Sequence, residues 1–131
     1  LGDVYKRQQV ENFKSINEEL TQRLHDKAYL NAYTYYKIGK YNSAIVALKN
    51  ALKKYPESTH REEIMYLIVD ASYRYASNSI EEKQTDRYLS MLDSYLSFKE
   101  EFPESKHIRE LERMAKHAKD YLDRNKKDNN I

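Results

Sequence analysis

The sequence contains only two prolines, and both stand in the same four-residue pattern of an aromatic residue, proline, glutamate and serine. The pattern occurs as Tyr55-Pro56-Glu57-Ser58 and again as Phe102-Pro103-Glu104-Ser105. Because the residue before a proline avoids the α region, each copy predicts the end of a helix. Ser105 can then cap a further helix. The recurrence therefore predicts a repeated arrangement of helix, turn and helix.

Composition supports a helical protein of one domain. The 131 residues include two glycines and two prolines, with 34% charged and 40% hydrophobic residues, whereas an all-β domain needs frequent turns. The 23 basic and 21 acidic residues nearly balance, and the basic cluster typical of nucleic-acid-binding proteins is missing. We therefore expect no nucleic-acid partner. The chain has no cysteine, which excludes disulfides and thiolate sites.

Apolar periodicity predicts a first helix over about 9–38 and a second over about 41–55. Gly39 supplies the stop between them. The inward stripe expected for the first helix consists of Val10, Phe13, Ile16, Leu20, Leu24, Ala28, Ala32 and Tyr35. The second helix carries Ala44, Ile45, Leu48, Ala51 and Leu52 on one side.

Three further helices follow the first proline. Capping boxes, Thr59 with Glu62 and Ser79 with Glu82, predict the starts of helices over about 60–77 and 80–102. The former is apolar nearly all round and should lie between neighbours. The inward stripe of the latter is Tyr88, Leu92, Tyr95, Leu96 and Phe102. A fifth helix to about 124 presents Ile108, Leu111, Ala115, Ala118 and Leu122.

We expect the helical domain to span residues 9–124. Residues 1–8, LGDVYKRQ, look like translated sequencing adaptor or an expression scar. The polar segment 125–131 is predicted to be disordered. No apolar signal segment or run of about 18 apolar residues is present in the sequence.

The ordered pattern is typical of tetratricopeptide repeats. Short connections make consecutive helices antiparallel, and the prolines lie 47 residues apart, longer than the usual repeat of about 34. The sequence therefore predicts an all-α, tetratricopeptide-repeat-like α-solenoid of about five antiparallel helices. The residues expected to pack the repeats are Tyr35, Gly39, Tyr41, Ala44, Leu48, Ala51, Pro56, Tyr95 and Pro103.

Catalytic and metal-binding signatures were sought among the histidines. Two E-x-x-H pairs resemble halves of di-iron sites: Glu57 with His60, and Glu104 with His107. Each pair starts one residue after a proline, at a turn, so we interpret both as turn residues. The sequence contains no Gly-rich phosphate loop, G-x-S-x-G or H-E-x-x-H motif. We therefore expect no enzyme activity, metal or cofactor.

Thirteen tyrosines and no tryptophan make an unusual balance. Tyr29, Tyr33 and Tyr36 form a row on the first helix, about 100° around the helix from the expected inward stripe. Tyrosine buries its ring while its hydroxyl stays hydrated, which suits interfaces. The row either fills a seam between helices or contacts a partner.

Several segments in order resemble the outer-membrane assembly lipoprotein family BamD, in particular its Bacteroidetes branch. They are YYKIGKY at 35–41, AIVALKNAL at 44–52, Tyr55-Pro56, REEIMYLI at 61–68, Asn78-Ser79 and FPESK at 102–106. The resemblance covers roughly 19–122. It implies a non-catalytic scaffold of the β-barrel assembly machinery on the periplasmic face of the outer membrane. The implied partners are the periplasmic domains of BamA and other assembly subunits.

Within that family the chain resembles the C-terminal, docking half, without the early repeats or the lipidated cysteine that anchors the protein. Docking contacts there include basic side chains, and the candidates on the second helix are Lys49 and Lys53. Two alternatives stay open. One is a glycan-binding protein that uses the row of Tyr29, Tyr33 and Tyr36 for stacking. The other is a cytosolic tetratricopeptide adaptor for short peptides.

Overall fold

The computed structural model describes residues 1–129 and the side chains of residues 1–126. Five α-helices follow one another: α1 (Gly2–Lys37), α2 (Tyr41–Lys54), α3 (Arg61–Ser77), α4 (Glu81–Glu101) and α5 (Ile108–Asn129). No strand occurs within the described part of the chain. The prediction of an all-α, tetratricopeptide-like fold of five helices is confirmed.

The turn between α1 and α2 depends on Gly39. Its φ is +83°, a left-handed conformation that costs a residue with a Cβ more than it costs glycine. The N–H of Gly39 donates to the carbonyl of Tyr36 at 3.0 Å, and the N–H of Lys40 donates to that of Tyr35 at 3.0 Å. These bonds use carbonyls that the end of α1 leaves without helical partners. The chain can therefore reverse direction within three residues.

The two proline motifs form the same turn twice. α2 ends at Lys54 and α4 at Glu101, two residues before each proline. In the first turn the buried hydroxyl of Ser58 accepts a hydrogen bond from the N–H of His60 at 3.1 Å. Ser105 accepts one from the N–H of His107 at 3.1 Å in the second. The serine thus acts inside the turn and fixes the position of a histidine.

The capping boxes predicted for α3 and α4 are wrong. The N-caps are His60 and Ile80, and neither helix start has a side-chain capping hydrogen bond. The hydroxyl of Ser79 instead donates to the carbonyl of Tyr75, at the end of α3. The same hydroxyl accepts a hydrogen bond from the side chain of Arg87 in α4, so Ser79 links the end of α3 to α4 and does not cap the start of α4.

Two apolar clusters form the core, and α3 contributes to both. The first joins α1, α2 and α3 through Ala32, Ala44, Leu48, Ala51, Ile64, Leu67 and Ile68. The second joins α3, α4 and α5 through Val69, Ala76, Tyr88, Met91, Tyr95, Phe98, Leu111, Ala115 and Ala118. Each helix packs on the next, and α1 and α5 also touch α3. The central position of α3 explains why its sequence is apolar nearly all round.

The inward stripe predicted for α1 is wrong over most of its length. Among its members only Ala32 is buried, while Val10, Phe13, Ile16, Leu20 and Leu24 are 51–73% exposed. The reason is a difference in length, because α1 has 36 residues and α2 only 14. A 14-residue helix spans about 21 Å and covers fewer than half the turns of α1.

The chain ends differ from the predicted boundaries. α1 begins at Gly2, so the segment interpreted as an adaptor or scar continues the helix; its origin stays a prediction. α5 extends to Asn129, five residues beyond the predicted end, where a disordered tail was expected from Asn125. Asn130 and Ile131, the last residues of that predicted tail, lie outside the described residues.

Candidate functional site

Tyrosine, histidine and carboxylate side chains form a band along α1, α3 and α5, and one arrangement occurs in it twice. In the first copy the imidazole of His60 lies over the ring of Tyr29, with centroids 4.4 Å apart and planes 4° from parallel. Its Nε2 lies 2.6 Å from Oδ1 of Asp26. We call Asp26, Tyr29 and His60 the first triad. It joins α1 to the turn that precedes α3.

The second triad repeats this geometry one helix pair later. The imidazole of His107 stacks on Tyr66 at 3.7 Å and 10°, and its Nε2 lies 3.0 Å from Oε2 of Glu63. In both triads the carboxylate precedes the tyrosine by three residues, which places the two side chains on one helix face. The histidine follows each proline by four residues. Successive repeats are therefore linked by the same contact.

The triads explain the two E-x-x-H pairs found in the sequence. His60 binds Asp26 on α1 and His107 binds Glu63 on α3; neither binds the glutamate beside its proline. Within residues 1–126 no group of three or more histidine, cysteine, aspartate or glutamate side chains has an arrangement suited to a metal ion. The histidines act as links between repeats.

The carboxylate of the first triad is held in its charged form. The hydrogen bond from His60 lowers the pKa of Asp26 below its usual 3.8, and a second bond from Gln22, at 2.9 Å, acts in the same direction. Both favour the charged form because they are made to the carboxylate. The first triad therefore places an anion against the imidazole at neutral pH.

A buried carboxylate lies between α1 and α3. Asp70 is 0% exposed, accepts a hydrogen bond from the hydroxyl of Tyr36, and accepts another from Nε of Arg74 at 2.9 Å. Burial raises the pKa of Tyr36, and the bond to Asp70 adds to this. The bond to Asp70 is also the main cause that raises the pKa of Arg74. Both donors thus keep their protons against a charge that water does not reach.

The predicted tyrosine row lies at this same seam. The rings of Tyr29 and Tyr33 are 6.0 Å apart, as are those of Tyr33 and Tyr36. All three are half-buried and pack against the first apolar cluster. Tyr29 stacks on His60, and Tyr36 binds Asp70. The row therefore fills a helix seam and leaves part of each ring at the surface. Contact of these exposed parts with a partner stays a prediction.

The two lysines proposed as contacts lie elsewhere. Lys49 and Lys53 are exposed on α2, on the side of the helix away from its buried residues Ala44 and Leu48. The tyrosine row faces α3. The lysines and the tyrosines therefore form two separate surfaces.

The residues predicted to pack the repeats occupy different environments. Ala44, Leu48, Ala51 and Tyr95 are buried. The ring of Tyr41 meets the ring of Tyr36 edge-on at 5.9 Å. The side chain of Tyr35 is 37% exposed, and Gly39, Pro56 and Pro103 lie in the turns.

Sequence reasoning missed two polar contacts of the band. The hydroxyl of Tyr66 donates to the carboxylate of Glu110, at 3.1 and 3.2 Å from its two oxygens. The hydroxyl of Tyr73 lies 2.8 Å from Nδ1 of His117. The triads could have been predicted from a repeated sequence pattern. An acidic residue stands three residues before a tyrosine in two places, and a histidine stands four residues after each proline. The contacts of Glu110 and His117 follow no such pattern.

A cleft of about 1190 Å³ opens between α1 and α2, and no residue of α3 lines it. The α1 side includes Leu24, Lys27, Asn31 and Thr34, and the α2 side includes Val46, Ala47, Asn50 and Lys54. The lining mixes apolar, amide and cationic groups with one carboxylate, that of Asp26.

None of the helices in the described part of the chain is long and apolar enough to cross a membrane.

Comparison with known proteins places the chain in a family. No curated protein matches the sequence. The sequence does match the outer membrane lipoprotein family YfiO over residues 7–127. This match covers nearly the whole chain, and the protein therefore belongs to the YfiO family of outer membrane lipoproteins.

Proposed function

We propose that the protein is a non-catalytic scaffold subunit of the machinery that assembles β-barrel proteins in the outer membrane, and that it docks onto the periplasmic domains of BamA. The observation that carries the proposal is the family match over residues 7–127, combined with a fold of stacked helix pairs. The segments quoted above, which resemble the Bacteroidetes branch of BamD, agree with it. The location that follows is the periplasmic face of the outer membrane.

The contacts between repeats suit a scaffold. The first triad and the pair of Tyr36 with Asp70 link α1 to α3 and the turn before it. The second triad links α3 to the turn before α5. A surface held in place before binding loses little conformational entropy when a partner docks. The proposed mechanism is therefore docking of a preformed surface, with charge pairs that set specificity.

The candidate contacts are the lysines of α2 and the exposed edges of the tyrosine row. Lys49 and Lys53 lie one turn apart and point into solvent, where they can pair with carboxylates of BamA. The exposed edges of Tyr29, Tyr33 and Tyr36 on α1 offer aromatic contact area on a separate surface, away from the lysines. Lysines at the rim of an interface act mainly on the association rate and its salt dependence.

The glycan-binding alternative has less support. Sugar stacking needs an open aromatic face, and His60 already covers one face of Tyr29. The neighbouring rings of Tyr33 and Tyr36 lie against each other. The peptide-adaptor alternative has no observation that favours it over BamA.

The direct test is isothermal titration calorimetry of the chain with the purified periplasmic domains of BamA. We expect a saturable heat and one site per chain. Replacement of both Lys49 and Lys53 by glutamate should slow association and reduce its salt dependence. The matched control is Lys116→Glu, an exposed lysine on α5, which should leave binding unchanged. Absence of any heat with the unmodified chain would refute the docking proposal.

The proposed location has a separate test. Expression of the complete gene in a Gram-negative host, with radiolabelled fatty acid, should give a labelled protein in the outer-membrane fraction. An unlabelled protein in the cytoplasm would contradict the location and favour the adaptor alternative.

A further inference from the structure

A second cavity, of about 340 Å³, lies between the turn that joins α1 to α2 and the turn that joins α3 to α4. One wall consists of residues 39–43, and the other consists of residues from the end of α3, the turn after it and the second turn of α4. Both walls come from the described part of the chain, so no preceding repeat is needed to form the cavity. We call it the Arg87 cavity, after the cation on the second wall.

The guanidinium of Arg87 is held in place on two sides. Its Cζ lies 4.0 Å from the centroid of the Tyr75 ring, a distance at which a cation is attracted to the face of the ring. Its Nη1 donates a hydrogen bond to the hydroxyl of Ser79, which in turn donates to the carbonyl of Tyr75. Arginine has five N–H groups, and within residues 1–126 only one of those of Arg87 has an acceptor. The others are positioned before a ligand arrives, which reduces the entropy lost on binding.

Arg87 lacks the carboxylate partner that other arginines of this protein have. Arg61 pairs with Glu101 at 2.6 Å, and Arg74 pairs with Asp70 at 2.9 Å. Arg87 is half-buried, and it forms no ion pair with a carboxylate of residues 1–126. Burial of a charge is unfavourable unless an opposite charge accompanies it. An anion from outside these residues would supply the missing partner.

The described side chains that line the cavity carry only positive charge. The charged residues of the lining are Lys40 on one wall and Arg87 on the other. The sequence of α2, which begins on the first wall, contains no acidic residue. Lys83 precedes Arg87 by four residues on α4, so two like charges share one helix face. The acidic residues of this part of α4 lie on other faces of the helix and do not line the cavity: Glu81, Glu82 and Asp86.

From these observations we infer that the Arg87 cavity binds a phosphate group. The planar fork of arginine matches the oxygens of phosphate. Asn42 and Ser43 on one wall and Asn78 on the other add uncharged donors. Donors on two walls suit the tetrahedral oxygens of phosphate better than the two oxygens of a carboxylate, which lie in one plane. The inference does not depend on the docking proposed above.

The test is an NMR titration of the 131-residue chain, labelled with ¹⁵N, with inorganic phosphate. Ionic strength is kept constant with chloride, because salt screens charges. We expect saturable shifts of the amide signals of residues 39–43 and 75–79. A parallel titration with acetate should show binding that is weaker by about tenfold or more, as expected when strong hydrogen bonds are lost. Absence of shifts at these residues, or equal affinity for acetate, would overturn the inference.

Variants of Arg87 locate the site. Arg87→Gln removes the charged fork and should weaken phosphate binding by about tenfold or more. Arg87→Lys keeps the charge without the fork, so its affinity should lie between those of wild type and Arg87→Gln. Arg113→Gln is the matched control, because Arg113 is exposed on α5 and its replacement removes the same charge. Equal loss of affinity in Arg87→Gln and Arg113→Gln would overturn the inference.

Lys40→Gln tests the opposite wall and leaves the bond between Arg87 and Ser79 intact. Lys40 is exposed, so the amide spectrum should show a folded protein even if Arg87→Gln does not fold. Phosphate binding should weaken about threefold, as expected for one exposed charge. Unchanged affinity would place the phosphate outside the cavity and overturn the inference.

The phosphate group has two possible sources, a soluble phosphate ester and a phospholipid headgroup, which vesicles distinguish. Wild type and Arg87→Gln are sedimented with vesicles of phosphatidylglycerol in about 0.15 M salt. Greater sedimentation of wild type assigns the group to a lipid headgroup, whereas equal sedimentation assigns it to a soluble ester.

The C-terminal segment of the same chain is the other candidate occupant. The side chain of Asp128 lies outside the described residues. Asp128→Asn should therefore leave the amide signals of residues 39–43 and the affinity for phosphate unchanged. Shifts of those signals without phosphate, together with tighter phosphate binding, would assign the cavity to the segment and overturn the inference of an external ligand.

Discussion

The hydroxyl of Tyr36 in α1 donates a hydrogen bond to Asp70, a carboxylate that α3 holds fully buried. Arg74, one turn along α3, donates to the same oxygen at 2.9 Å. The second oxygen of Asp70, Oδ1, is buried without a hydrogen-bond partner in the described structure. The charge of Asp70 thus depends on two donors, and one of them comes from another helix.

Tyr36→Phe should therefore destabilise the protein by about 2 kcal/mol, since it removes a donor from a buried charge. Urea unfolding followed by circular dichroism measures the change. Tyr33→Phe is the matched control, because Tyr33 lies in the same row and its described contacts are ring stacking. Equal effects of the two substitutions would show that the bond to Asp70 contributes nothing specific.

The bond between Tyr36 and Asp70 also predicts how the free energy of unfolding changes at high pH. The pKa of Tyr36 is raised in the folded protein above its usual 10.0, first by burial and then by the bond to Asp70. The stability that this represents is fully present below pH 10 and is lost as pH rises toward the folded value. Tyr36→Phe lacks this contribution. The gap in unfolding free energy between wild type and variant should therefore narrow above pH 10, and a constant gap would contradict this account.

The first triad predicts that the stability of the folded protein falls at acid pH. The pKa of Asp26 is lowered in the folded state, chiefly by the bond from His60. The linked stability is present above the unfolded value near 3.8 and is lost as pH falls through the folded value. Asp26→Asn should be less stable than wild type at pH 6, and the two should converge below pH 3.8. Acid titrations of both proteins by circular dichroism test this, and Glu19→Gln, an exposed acid of α1, is the control.

Gly39→Ala should cost about 1 kcal/mol, because a residue with a Cβ is strained at a φ of +83°. No atom lies within 4 Å of the position the Cβ would take, so the cost is conformational and not steric contact with a neighbour. Gly2→Ala is the control, since Gly2 lies in α1 and its Cβ position is also open. Thermal melts should separate the two, and equal melting temperatures would exclude a special role for the turn.

The second core cluster predicts the largest effect of a single truncation. Phe98 is fully buried and lies 5.6 Å from the ring of Phe102. Phe98→Ala leaves a cavity and should cost about 3 kcal/mol or more. Leu96→Ala, two residues away and exposed, should change stability by less than about 0.5 kcal/mol. Urea unfolding of both variants checks the contrast, which would disappear if α4 packed by its other face.

Local signals predicted the helices well because each acts within a few residues. Proline and Gly39 mark ends of helices by their own backbone restrictions, and the observed ends fall within one residue of the predicted ones for α1, α2 and α4. The predicted starts of α3 and α4 also fall within one residue of the observed ones, but the capping bonds expected from Thr59 and Ser79 are not formed. A hydroxyl can serve the helix before it as well as the one after it, and Ser79 bonds to Tyr75 in α3.

The candidate site could be predicted only in part. The row of Tyr29, Tyr33 and Tyr36 was found from helical spacing, but its place at the α1–α3 seam depends on contacts between residues more than thirty positions apart. The pairing of Tyr36 with Asp70 is of this kind. The sequence around a single aspartate in an apolar helix does not predict which residue donates a hydrogen bond to it.

The sequence by itself determined that this protein is a stack of five helices, because breakers, periodicity and the repeated proline motif all act locally. Only the tertiary structure decided which apolar faces are buried. Val10 and Leu48 look alike as members of helical stripes, yet the former is 54% exposed and the latter fully buried. Burial requires a neighbouring helix at the same height, and α2 is too short to reach the first half of α1.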